Sequence, residues 1–217
     1  MLPLPDRSEM FRRLPRLVFG LILCGVGIAS MVRADLGLGP WDVLHQGLSQ
    51  RTGIGIGTVG IFVGLGVLLL WIPLRQRLGV GTVLNTILIG ATIDAVLAVA
   101  PEPENIALRL SLVFGGVLMM GVGIGMYIGA GLGPGPRDGV MTAFADRGYS
   151  VRVVRTLIEL SALGAGALLG GSVGLGTVLF ALLIGPIVHH TLPWLTIAPR
   201  PEVEATAGEE PAEARAL

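Results

Sequence analysis

Residues 20–42 read GLILCGVGIASMVRADLGLGPWD, and residues 116–138 read GVLMMGVGIGMYIGAGLGPGPRD. The two stretches align without a gap at an offset of 96, with 11 identities in 23 positions. A second block repeats at an offset of 95. Gly79-Val-Gly-Thr-Val-Leu84 answers Gly174-Leu-Gly-Thr-Val-Leu179, and Leu88-Ile-Gly90 answers Leu183-Ile-Gly185. Two copies of one apolar unit therefore fill nearly the whole chain. A duplicated hydrophobic unit is a common construction among membrane transporters.

Composition points the same way. Mean hydropathy is +0.77, and only 14% of residues are charged, where a soluble domain carries about 25%. The 34 glycines suit close helix packing in lipid. The formal net charge is zero, so no nucleic-acid partner is implied. All 15 basic residues are arginine, which excludes a Schiff-base lysine and a lysine-bearing phosphate loop. The single Cys24 excludes an internal disulfide and a cysteine-rich metal site. Gly55-x-Gly-x-x-Gly60 matches a dinucleotide fingerprint by letters, but it opens an apolar span and does not join a strand to a helix. Neither a cofactor, a metal site nor enzyme activity is expected.

A helix needs about 20 apolar residues to cross a bilayer. Runs of that kind fall at 16–33, 56–74, 80–100, 109–130, 151–170 and 174–193, three in each copy. Arginines concentrate in the segments that are cytoplasmic if the N-terminus is inside; outside fall only Arg33, Arg51 and Arg109. That is a positive-inside bias and places both termini in the cytoplasm. Three spans is an odd number, so the second copy enters the membrane from the opposite side. Parallel copies would need one span more or fewer. The expected fold is an all-α membrane protein of about six transmembrane helices in two inverted three-helix repeats. The expected division is a cytoplasmic N-terminal segment 1–15, repeat 16–100, loop 101–108, repeat 109–195 and a disordered, Glu/Ala/Pro-rich cytoplasmic tail 196–217.

The candidate functional residues lie where the two copies agree and where they differ. In Leu36-Gly-Leu-Gly-Pro-Trp-Asp42 and Leu132-Gly-Pro-Gly-Pro-Arg-Asp138, Gly37, Gly39, Gly133 and Gly135 free the backbone as a hinge. Pro40 and Pro136 are placed to open a short half-helix. Asp42 and Asp138 then fall in its first turn, where a carboxylate meets the positive end of the helix dipole. The pair either frames a central cavity or is an ordinary acidic first turn at the membrane interface.

Glu159 lies four residues after Arg155. This pair is either a substrate- or proton-coupling site at depth or a local ion pair. The corresponding first-copy positions are Gly60 and Gly64. Asn85 and Asp94 sit within the third span, and His189 replaces Asp94 in the second copy. They either line a pathway or lie at the interface. Gly121, Gly125, Gly129 and Gly133 read as a helix-contact seam, as do Ala162, Gly166, Gly170 and Gly174.

Several separated motifs resemble the YczE/YitT group of bacterial integral membrane proteins, the YczE branch in particular. They are Gly37-Leu-Gly-Pro-Trp-Asp42, Ile72-Pro-Leu-Arg75, Gly79-Val-Gly-Thr82, Arg155-Thr-Leu-Ile-Glu159 and Leu169-Gly-Gly-Ser-Val-Gly-Leu-Gly-Thr177. The resemblance spans about residues 15–195. It implies residence in the bacterial cytoplasmic membrane and transfers no site residues. The expected function is a small transporter or permease-like protein for an unknown small molecule. Such a chain sits in the lipid bilayer and gains rigidity by pairing as a homodimer. The alternative is a membrane accessory or scaffold protein without transport.

Overall fold

The computed structural model describes residues 7–197. The elements among them are all helices: α1 Arg7–Ala34, α2 Pro40–Thr52, α3 Ile56–Leu74, α4 Val80–Val99, α5 Ile106–Gly129, α6 Pro136–Ala145, α7 Val151–Leu168 and α8 Leu175–Leu195. Helices α1, α3, α4, α5 and α8 are long and apolar enough to cross a membrane. Large apolar side chains such as Phe62 and Leu182 stand more than 60% exposed on them, as lipid-facing surfaces require. Helix α7 has 18 residues and carries Arg152, Arg155 and Glu159.

Three boundaries differ from the sequence reading. The first helix begins at Arg7, well before residue 16. Glu9 pairs with Arg13 at 2.9 Å, and Arg13 is buried against the end of α5, donating to Ala130 O at 3.1 Å. The loop after α4 ends at Asn105, whose side chain accepts from Leu108 N at 2.9 Å and caps α5. At the other end, Ile197 N donates to Gly129 O at 2.8 Å, so residues 196 and 197 stay docked on α5. The rest of the expected tail lies outside the described residues.

The centre is the crossing of α1 and α5. Gly20 lies against Gly123 and Gly27 against Gly116; an added Cβ would approach a carbonyl oxygen to 2.8 or 2.6 Å. Glycine is required because the two backbones touch. Numbering rises along α1 as it falls along α5, so the helices are antiparallel. Leu17, Leu21, Met31 and Val117 fill the rest of this seam and are almost fully buried.

Helices α4 and α8 lie outside this pair. On α1, Gly25 meets Ile89 and Thr92, and farther on Arg33 donates to Leu97 O. On α5, Gly121 meets Ile187, Gly125 meets Thr191 and Gly129 meets Leu195. In both pairs the numbering rises together, so α1 runs parallel to α4 and α5 parallel to α8. The glycine seam read from the sequence is thus the α5–α8 contact; Gly133 falls beyond it in a turn.

The two copies also exchange contacts. Gly81 N donates to Leu132 O at 2.8 Å, and Gly176 N donates to Leu36 O at 2.7 Å. Each α4 or α8 start is therefore held by the other copy's glycine loop. Helix α3 packs on α6, where the Trp71 indole lies on Gly139 and donates to Pro136 O at 2.9 Å. Helix α7 packs on α2 with size reversed: Gly166 lies on the backbone of Val43 and Leu44.

Candidate functional site

Local chemistry starts α2 and α6 in the same way. Gly37 and Gly133 hold φ of 104° and 122°, a left-handed backbone that other residues rarely adopt. Each turn brings the chain to an extended N-cap glycine, Gly39 or Gly135, followed by proline at the first helical position. Asp42 and Asp138 follow in the first turn. Each carboxylate folds back towards its own N-cap glycine, where the helix dipole favours negative charge.

Both starts face one cavity of about 130 Å³. Trp41, Asp42 and His45 enter it from α2, Arg137 and Asp138 from α6, Asn85 from α4 and Tyr127 from α5. Its remaining wall is mainly apolar, with Ile28, Val63, Val67, Ile89, Ile93 and Ile124. Gly60 and Gly64 of α3 line it too. A few polar groups converging on an apolar concavity is the usual form of a small-molecule site.

The polar groups are only partly spoken for. Tyr127 donates its hydroxyl to Asp138 Oδ2 at 2.8 Å. Arg137 Nε lies 3.8 Å from Asp138 Oδ1, too far for a hydrogen bond, and Asp42 is within electrostatic reach of the same guanidinium. Asp42 is 8% exposed; its nearest polar side-chain partner among the described residues is His45 Nδ1, 3.7 Å away. The Trp41 indole N–H is buried without a hydrogen-bond partner among the described residues. No group of three or more His, Cys, Asp or Glu able to hold a metal ion occurs among those residues.

The candidate residues thus divide. Asp42, Asp138 and Asn85 line the cavity, and Gly135 and Pro136 form part of its rim. Gly37, Gly39, Pro40 and Gly133 shape the turns behind it. Asp94 does other work: it accepts from Gly57 N, Thr58 N and Thr58 Oγ1, all at 2.7 Å. It caps α3 from the neighbouring helix. Arg155 and Glu159 pair at 3.0 Å on α7, outside the cavity lining. Trp41, His45, Tyr127 and Arg137 were not singled out from the sequence. For Trp41 and Arg137 the signal was present, since five of seven positions match between the two motifs and here, as at Leu38 and Pro134, they differ, exchanging an aromatic ring for a cation.

No solved structure matches this chain. An uncharacterized protein of Haemophilus influenzae is 39% identical over 186 residues, covering 85% of each chain. The uncharacterized membrane protein YczE of Bacillus subtilis is 34% identical over 190 residues, covering 86% of this chain and 88% of its own. The uncharacterized protein YyaS of Bacillus subtilis is 27% identical over 184 residues, covering 80% of this chain and 89% of its own. Residues 11–193 match the family described as a family of unknown function, DUF6198. With its apolar helices and its likeness to YczE, this chain is a membrane protein of the DUF6198 family.

Proposed function

We propose that the protein is a small transporter of the bacterial cytoplasmic membrane, built from two inverted repeats around the cavity between α2 and α6. The observation that carries this reading is the cavity itself. Two half-helix starts from duplicated sequence meet there, and each brings a carboxylate to it. Discontinuous helices whose N-termini face a midplane site are a recurrent device of secondary transporters.

Helix direction supports six crossings. Because α5 and α8 run parallel, the chain must return across the membrane between them. Helix α6 has 10 residues, about 15 Å, so the return belongs to α7. Its 18 residues span about 27 Å, close to the hydrocarbon thickness of roughly 30 Å. Of its charged residues, Arg152 and Arg155 lie in the first two turns, where arginine reaches the interface, and Glu159 follows in the third, paired with Arg155 at 3.0 Å. Helix α3 makes the matching return between parallel α1 and α4. Antiparallel α1 and α5 then make the copies inverted, with both termini cytoplasmic by the arginine bias. Rocking of one repeat against the other would expose the cavity to each side in turn.

The test uses the exposed twin positions Gln50 and Asp146. Each is made the only cysteine in a Cys24→Ala background and treated in intact cells with an impermeant thiol reagent. Labelling at 50 and not at 146 is expected. Labelling at both sinks the inverted repeat and favours an accessory protein. Labelling at 146 alone reverses the orientation and overturns the placement of the termini.

A further inference from the structure

At the twin positions 41 and 137 the two copies differ in chemistry, tryptophan in one and arginine in the other, and both side chains line the cavity. The unsatisfied groups there are of two kinds. The Trp41 indole N–H is a buried donor without a hydrogen-bond partner among the described residues. The Arg137 guanidinium makes no hydrogen bond among the described residues and holds only the loose 3.8 Å contact with Asp138. The buried indole requires an acceptor, and the guanidinium, its side chain 31% exposed, is open to one; a guanidinium fits a carboxylate in particular. Asp42 is the opposite case: a carboxylate on a side chain only 11% exposed, with no hydrogen-bond donor of the protein bound to it among the described residues. It requires a donor, and an ammonium group beside it also meets the Trp41 ring.

Charge narrows the occupant further. Asp42, Asp138 and Arg137 sum to one negative charge when His45 is neutral. The two helix starts contribute about half a positive charge each, so the empty site is close to neutral. A lone cation or a lone anion would leave an uncompensated charge in an apolar pocket. Size sets the last limit. A cavity of about 150 Å³ accepts benzene, so about 130 Å³ admits a solute of about six non-hydrogen atoms.

We propose that this cavity binds a small zwitterion of amino-acid size, its carboxylate held by Arg137 and Trp41 and its ammonium by Asp42. Ile28, Ile89, Ile93 and Ile124 would cover a short apolar side chain. The inference rests on reading the cavity as a substrate site.

The test is thermal unfolding of the purified full-length protein in detergent with glycine, L-alanine or L-valine. Ethylamine and propionate serve as alanine lacking one head or the other. A saturable rise in Tm is expected with at least one zwitterion and with neither single-headed analogue. Asp42→Asn and Arg137→Gln should each weaken that binding by about tenfold or more. If either fails to fold, Trp41→Phe keeps an aromatic ring, removes the indole N–H together with the five-membered ring that carries it, and should still weaken it. A Tm rise with ethylamine or propionate equal to that with alanine overturns the proposal, as does no rise with any of the three zwitterions. Flux of radiolabelled alanine into proteoliposomes separates the two readings. A Tm rise without flux sinks transport and leaves the zwitterion site standing. No rise in a protein that passes the labelling test at 50 and 146 sinks the zwitterion site alone.

Discussion

Helices α3 and α7 occupy corresponding places in the two copies, yet one is clamped to its neighbour and the other is not. Helix α3 meets α4 through Gly57 and Gly90, so close that a Cβ on either would overlap the other's carbonyl. Asp94 of α4 then ties down the first turn of α3. In the second copy Gly57, Thr58, Gly90 and Asp94 are answered by Arg152, Val153, Gly185 and His189. Arg152 and Val153 are exposed, and Gly185 faces open space. Helix α7 rests instead on α2. The difference teaches that a duplicated sequence need not give two equal halves. Repeat 1 closes α3 on α4, whereas repeat 2 sets α7 on α2 instead of on α8.

The sharpest way to break the comparison is to place the same bulk on both sides. Gly90→Leu should cost more than about 4 kcal/mol and abolish the folded peak in size-exclusion chromatography. Gly185→Leu should change stability by no more than about 0.5 kcal/mol. Equal losses would mean that α7 and α8 pack together after all.

Removing the cap comes next. Asp94→Leu strips three hydrogen bonds from a carboxylate and leaves two backbone N–H groups bare, a loss of about 2–4 kcal/mol in thermal unfolding. His189→Leu should move the same melt within about 0.5 kcal/mol. Hydrogen exchange sharpens the contrast without mutation. The Thr58 amide should exchange about tenfold or more slowly than that of Val153, since only the first turn of α3 is pinned from outside. The smallest expected effect is gained by grafting. Arg152→Gly, Val153→Thr and His189→Asp together rebuild the clamp in repeat 2. They should stabilise the protein by about 1 kcal/mol and slow any flux that depends on α7 moving.

Much of this fold was written locally and could be read. The Gly-x-Gly-Pro turns are decided by backbone chemistry within five residues. Asp42 and Asp138 follow from their place after the proline. The glycines at four-residue spacing marked a contact seam on α5, though not the helix, α8, that fills it. What escaped depends on partners far away in sequence. Asp94 looked like a polar residue on a span face because its ligands, Gly57 and Thr58, lie on another helix. Arg13, Arg16 and Arg33 counted as topology signals, yet each donates to a carbonyl at a distant helix end, Ala130, Leu195 and Leu97. Arg155 and Glu159 drew attention by their charge, but they satisfy each other on α7 and line no part of the cavity.

The reciprocal bonds between the glycine loops and the starts of α4 and α8 set an order of events at the ribosome. When α4 has just been made, the carbonyl that Gly81 needs belongs to Leu132, beyond a span, α5, still to come. The converse bond, Gly176 to Leu36, can close only when nearly all of the chain has emerged. The first three spans must therefore wait in the bilayer, inserted but unsealed, and neither repeat can finish before the other has arrived.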